Sequence, residues 1–205
     1  IYNNQASQYG EGGGLLISGD ATLNSCQIHQ NEAHYAGGGL FILGNATLSQ
    51  CNIYNNTADS GGGLRIDGDA TLNCCQIYDN QADYYGGGGV AVWNGRSATL
   101  NYCNIWNNEA TTGGGLFIAG EATLNHCNIF TNNNEASYEG IGLYISGTAT
   151  LTCCTVVDSI YTDNAGGTYS PISVSTTACA SGEFRDGCTS TDVGSCTPCT
   201  TALAG

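Results

Sequence analysis

The feature that most restricts what this chain can become is that it repeats itself every 24 to 28 residues. Three blocks recur. The first is a glycine triplet leading into a short apolar stretch: GGGLLISG from Gly12, GGGLFILG from Gly37, GGGLRIDG from Gly61, GGGVAVWNG from Gly87 and GGGLFIAG from Gly113, with a weaker copy, GIGLYISG, from Gly140. The second runs ATLNSCQI, ATLSQCNI, ATLNCCQI, ATLNYCNI, ATLNHCNI and ATLTCCTV. The third is an aromatic residue, asparagines and an alanine, as in YNNTA, YDNQA and WNNEA, and residues 1–6 match it as a partial unit. Within a unit no apolar period of 3.6 appears, while alternations such as Leu15/Ile17 and Cys26/Ile28 mark strands with one inward face. A unit of this length, made of short strands broken by Gly or Asn, closes into a coil and stacks in parallel on the next.

The expected fold is therefore all-β: a parallel β-helix of about six coils over residues 1–177. At ~4.8 Å per coil it forms a rod of roughly 30 Å. A faint last echo, NAGG at 164–167, precedes a strand near Ile172–Val174. Longer spacings from Cys75 to Cys103 and from Cys127 to Cys154 predict loop insertions at Trp93–Ser97 and Thr131–Glu135. Stacking puts equivalent residues above one another. Leu23, Leu48, Leu72, Leu100, Leu124 and Leu151 form one inward column, and Ile28, Ile53, Ile77, Ile105 and Ile129 another. Asn31, Asn56, Asn80 and Asn108 form a ladder that satisfies turn backbone groups. The glycine triplets supply positive φ or close backbone approach at a corner.

The pattern GGGLxIxGxATLxxCxIxxNxA resembles repeats of the pectin-lyase-like superfamily of right-handed parallel β-helices. In style it is similar to repeats of polymorphic outer-membrane proteins and of algal and protist surface proteins. The resemblance covers residues 1 to about 175. It implies the fold but not the activity, because β-helices host lyases, hydrolases, adhesins and fibres. Residues 178–205 differ: Cys179, Cys188, Cys196 and Cys199 are spaced C-x8-C-x7-C-x2-C. They resemble the small ephrin-receptor-like cysteine-rich modules of eukaryotic extracellular proteins. This implies a disulfide-rich module, continuing past Gly205, in a multi-module surface protein. Four cysteines allow three pairings.

Composition narrows the partners. The chain has 17 acidic residues against Arg65, Arg96 and Arg185, no lysine, and a net charge of -14. Binding phosphates needs basic side chains, so nucleic acid is excluded as a partner, and attraction to an anionic membrane surface is disfavoured. No apolar run is long enough to span a bilayer. Twelve cysteines favour an oxidising, extracellular or cell-surface location. The chain opens inside a repeat, without methionine, and reads as a piece of a longer protein.

Several columns carry candidate chemistry. Cys26, Cys51, Cys75, Cys103, Cys127 and Cys154 share one position, as a buried thiol column or as disulfides between neighbouring coils. Cys74 and Cys153, one residue earlier, are placed to bond diagonally to it. The column lacks the C-x2-C pairs of a zinc site, and no metal centre is expected. Tyr2, His29, Tyr54, Tyr78, Trp106 and Phe130 form an outward aromatic stripe. It stiffens the sheet or contacts sugars or a neighbouring chain. Asp20, Asn45, Asp69 and Glu121 align, as do Glu32, Glu109 and Glu135. They read as a solvated acidic face, with Ca²⁺ bridging as the alternative. Asn45-Ala-Thr47 and Asn55-Asn-Thr57 are N-glycosylation sequons, so N-linked glycans on the outside of the rod are expected.

No catalytic residue is assigned. Arg65 and Arg96 fall in different parts of the repeat, and the three histidines share no column. Thr22, Thr47, Thr71, Thr99, Thr123 and Thr150 resemble one rank of an ice-binding β-helix, whose second rank the flanking Ala and Leu do not supply. The function expected is that of a non-enzymatic structural or adhesive extracellular glycoprotein, a component of a surface fibril or matrix filament. Its partners would be other copies or modules, joined end to end or laterally, or glycans. The alternatives are a carbohydrate-binding module and a polysaccharide lyase or hydrolase.

Overall fold

The structure is a computed structural model. It describes the whole chain except Gln8, Asn94 and residues 135–140, 164–167, 173–182, 187–194 and 199–205. The described chain is a parallel β-solenoid. The glycine-block strands Leu15–Ile17, Leu40–Ile42, Leu64–Ile66, Val90–Val92, Leu116–Ile118 and Leu143–Ile145 delimit five full turns, and Ile160–Thr162 completes a seven-stranded first sheet. The second sheet, also seven-stranded, begins with Ala21–Asn24 and Asn45–Ser49 and ends with Thr168–Ile172. The third holds six strands, from Gln27–His29 to Thr155–Val156. A fourth, of two-residue strands, joins Thr57–Ala58, Gln81–Ala82, Glu109–Ala110 and Asn133–Asn134. The strand expected near Ile172–Val174 is Thr168–Ile172, and Val174 lies outside the described residues.

Register follows the repeat. Leu100 lies opposite Leu72 and Leu124, and Ile77 opposite Ile53 and Ile105. Both inward columns are buried. Alternation then turns Thr47, Thr71 and Thr99 outward between buried Ala and Leu.

The corners show how so short a coil can close. Two positions in nearly every coil adopt a left-handed backbone without being glycine. Ser25, Gln50, Cys74, Tyr102, His126 and Cys153 turn the second sheet into the third. Asn3, Gln30, Asn55, Asp79, Asn107 and Thr131 turn the third towards the fourth. Such a conformation costs roughly 1–2 kcal/mol per residue, and stacked copies of the same corner hold it in place. At the third corner the first glycine of each triplet takes positive φ, for example Gly37 at 63°. The second and third glycines sit against backbone of the next coil: a Cβ on Gly63 would lie 2.6 Å from the carbonyl oxygen of Gly89.

The insertions match expectation only in part: the segment between Ala82 and Val90 is two residues longer than that between Ala58 and Leu64, which was not expected. Relative to Ile66–Asp69, the segment Val92–Ser97 carries two extra residues, within the expected Trp93–Ser97. The second insertion does not lie within Thr131–Asn134, the greater part of the expected Thr131–Glu135. Thr131 is an ordinary left-handed corner, and Asn133–Asn134 pair in register with Glu109–Ala110. The extra residues fall after Asn134.

The first sheet departs from simple inside–outside alternation. Its outward residues Phe41, Arg65 and Ala91 are 2 %, 7 % and 0 % exposed, so this face is covered at its middle coils, whereas Leu16 at its start is exposed. In the C-terminal region Glu183–Asp186 and Ser195–Pro198 form a two-stranded antiparallel sheet. No helix among the described residues is long and apolar enough to cross a membrane.

Candidate functional site

A buried amide ladder lines the corner between third and fourth sheets. Each Asn side-chain N–H donates to Oδ1 of the residue one coil on: Asn31 to Asn56 at 2.9 Å, Asn56 to Asn80 at 3.0 Å and Asn80 to Asn108 at 2.9 Å. The same Oδ1 atoms accept backbone N–H groups at 3.1 Å. The amides also cap carbonyls of the coil before, as Asn80 does for Ile53 at 3.0 Å. The ladder is longer than the four residues expected. Asn4 and Asn132 extend it, and Asp158 ends it by accepting from both the backbone and the side chain of Asn132 at 2.9 Å. A carboxylate suits a terminus because it only needs to accept. Asp158 escapes repeat alignment because its coil is one residue shorter between the inward apolar residue and the ladder position.

The cysteine column is a stack of free thiols. Five sulfurs approach a leucine carbonyl one coil back, for example Cys103 to Leu72 at 3.5 Å and Cys154 to Leu124 at 3.3 Å. Burial, reinforced by neighbouring thiols, pushes Cys103 and Cys154 well above the ordinary thiol range, so they stay protonated. Cys26 alone of the six is partly exposed. Within this column no disulfide joins neighbouring coils. Cys74 and Cys153 are disulfide-bonded, but not diagonally to the column, whose thiols are all free and turned to carbonyls. Of the tail cysteines only the backbone of Cys196 is described, so the disulfides expected among Cys179, Cys188, Cys196 and Cys199 lie outside the described residues.

The aromatic stripe is a single stack. Ring centroids lie 5.3 Å apart for Tyr2–His29, 4.6 Å for His29–Tyr54, 4.9 Å for Tyr54–Tyr78, 4.4 Å for Tyr78–Trp106 and 5.9 Å for Trp106–Phe130, with planes within 10°. The ring faces are spent on one another, and edges face the solvent. Stacking a sugar ring would need a free face, so this geometry favours stiffening and edge contact over a sugar platform.

Both sequon asparagines are exposed. Asn45 opens a strand and donates to Oδ1 of Asp20 at 2.8 Å, while Asn55 sits at a left-handed corner beside Tyr54. Asp20, Thr22, Asn45, Thr47, Asp69 and Thr99 line a shallow trough of about 490 Å³ on the second sheet. The outward neighbours of the threonine column are therefore not Ala and Leu. They are this Asp/Asn rank on one side and Asn24, Ser49, Asn73, Asn101 and Asn125 on the other, at the next outward positions. Glu32 and Glu109 instead engage Gln5 and Asn133 across coils, and Glu135 lies outside the described residues. Among the described residues no group of three or more His, Cys, Asp and Glu is arranged to hold a metal ion.

Irregularity concentrates on the outer face of the first sheet. Arg65 makes a bidentate pair with Asp67, both contacts at 2.8 Å, and lies 4.3 Å from the Trp93 ring centre, 5.4 Å from Phe41 and 5.5 Å from Tyr35. The insertion carries Trp93 there, with its indole N–H directed to Oγ of Ser60 at 3.4 Å. Although Arg65 and Arg96 are far apart in the repeat, both line one cavity of about 360 Å³, together with Leu43, Asp67 and Trp93. The sequence signal for this site was the insertion itself and the two isolated arginines, which register alone did not connect.

Comparison with curated proteins and with solved structures returned no match. The family model for the right-handed β-helix region matches residues 13–178. That family holds both enzymes of the pectate-lyase kind and proteins that are not enzymes. The match spans most of the chain and agrees with the parallel stacking and corner pattern, so this protein belongs to the right-handed β-helix family.

Proposed function

We propose that the chain is a structural or adhesive glycoprotein of the cell surface or extracellular matrix. The rod would supply stiffness, and its repeated outer faces would supply contacts to other copies or modules. One observation supports this reading above the rest: the same residue meets its own copy in coil after coil on several sides of the rod, as amides, rings and thiols. Bending such a rod must break many equivalent contacts at once, so the repetition favours rigidity. N-linked glycans at Asn45 and Asn55 would project from exposed positions and limit which faces can touch. The stripe of ring edges, at Tyr2, Tyr54, Tyr78, Trp106 and Phe130, is the lateral contact of choice.

The test is electron microscopy of native material with intact-mass analysis. Regular glycosylated filaments are expected, and dispersed, unglycosylated single rods would overturn the proposal. A carbohydrate-binding role has one observation in its favour, the polar trough along Thr22, Thr47 and Thr99. Titration with neutral polysaccharides, repeated with Thr71→Val, separates that reading from the first. Lyase or hydrolase activity would show in assays on acidic polysaccharides with and without Ca²⁺, compared with Arg65→Ala.

A further inference from the structure

We propose that the cavity at the coil insertion is a binding site for a small organic carboxylate carried on a flat, apolar body. The site combines charge, an apolar wall and a fixed ring, and none of these serves the stacking of coils. The charge comes first. The chain carries three basic residues against 17 acidic ones, yet two of the three line this cavity. Asp67 neutralises Arg65 through both carboxylate oxygens. Arg96 is exposed and makes no ion pair among the described residues. The cavity walls therefore hold one net positive charge in a molecule that is otherwise strongly negative. A single carboxylate complements it, and a guanidinium presents the paired donors that a carboxylate accepts.

The apolar component is Leu43, 42 % exposed, together with Trp93. Trp93 is held in place on several sides. Arg65 stacks on it, Ser60 takes its N–H, and the rings of Phe117 and Tyr85 stand 6.0 and 6.5 Å away. A wall fixed before binding spends little ordering entropy on a ligand. The volume, about 360 Å³, suits a small molecule rather than a polymer chain. A cation would meet Arg96, and a fully polar anion would leave Leu43 and Trp93 wet. A carboxylate on an aromatic or alicyclic body satisfies both. This inference stands apart from the rod's structural role, since it uses residues that break the repeat.

The probe is 2-naphthoate, titrated into the full chain and followed by NMR of the indole N–H groups. The chain has two tryptophans, so Trp106 in the aromatic stack serves as an internal control. The Trp93 signal is expected to move saturably while that of Trp106 stays in place. Arg96→Gln lies on an exposed loop and should keep the melting temperature while weakening binding about tenfold. The neutral analogue 2-naphthylmethanol should also bind about tenfold more weakly than 2-naphthoate. Equal binding by wild type and Arg96→Gln, or equal movement of both indoles, would overturn the site. Tighter binding of galacturonate than of 2-naphthoate would overturn the apolar body assigned to the ligand.

Discussion

The amide-ladder corner and the outer face of the first sheet solve the same problem in opposite ways. At the ladder, each coil presents an asparagine whose donors and acceptor are used by its own copies above and below. No other residue type is needed until Asp158 closes the series. On the first sheet the outward column reads Leu16, Phe41, Arg65, Ala91, Phe117 and Tyr144, a different residue in most coils. A buried arginine there cannot be satisfied by stacking. It requires Asp67 from its own strand's end and rings from Tyr35, Phe41 and Trp93. Repetition thus yields self-complementarity, whereas each departure from it must bring its own partners. The departure is also where a cavity opens.

That contrast can be broken experimentally, and the largest effect should come from the repeated corner. In Gly62→Ala the new methyl group would be driven against the Gln81 carbonyl, which is backbone and cannot move aside. A loss of about 3 kcal/mol or more is expected, seen as a collapse of the thermal unfolding transition followed by circular dichroism. Gly95→Ala, in the insertion, meets nothing within 4 Å and suffers only from its φ of +75°. It should cost roughly 1 kcal/mol. Similar losses for the two variants would mean that the corner is more compliant than its contacts indicate.

Within the ladder, Asn80→Ala removes buried bonds to Asn108, to Ile53 and from Asn56, and a partly buried one to Tyr78. About 2–4 kcal/mol should be lost in denaturant unfolding, because several buried groups are left unpaired together. Asn4→Ala, at the exposed end, should cost under about 1 kcal/mol. On the irregular face, Arg65→Ala leaves Asp67 without its cation and strips packing from Trp93, for about 2 kcal/mol. Tryptophan emission should shift to the red as the indole is uncovered, and an unchanged spectrum would refute the stacking.

The smallest effect is one of pH. Burial raises the Cys103 and Cys154 thiols above their unfolded value, so the folded state holds protons that the unfolded chain gives up. Stability from this source is complete below the unfolded thiol pKa, about 8.5, and declines as pH rises beyond it. Melting temperature should therefore hold between pH 6 and 8 and fall above pH 9, and the fall should be shallower in Cys103→Ala. Thiol reagents at pH 8 should modify Cys26 before any other column member.

The coil, its inward columns and the ladder at Asn31, Asn56, Asn80 and Asn108 were legible in the sequence, because stacking in register converts a sequence period directly into contact. So was the thiol position, although the choice between free and bonded sulfur was not. Neighbouring thiols lie next to one another and also reach the leucine carbonyls one coil back, and the period alone does not say whether such neighbours are joined. The non-glycine left-handed corners were invisible, since Ser25, Gln50, Tyr102 and His126 share a backbone angle and no side-chain chemistry. The ladder's end at Asp158 was hidden by a one-residue shortening. Arg65 and Arg96 met only in three dimensions, because a bulge of two residues swings across a coil boundary that alignment treats as empty space.

What the sequence determined by itself was therefore the parallel stack, its register and its core. Each of these needs only that a residue sit above its own copy, and period alone guarantees that. What only the tertiary structure decided was the backbone and bonding state at positions whose side chains do not dictate it, the left-handed corners and the free thiols, and everything that happens once: the covered face around Arg65 and the cavity beside Arg96. Single events depend on which unlike side chains come within a few ångströms of each other, and no periodicity carries that distance.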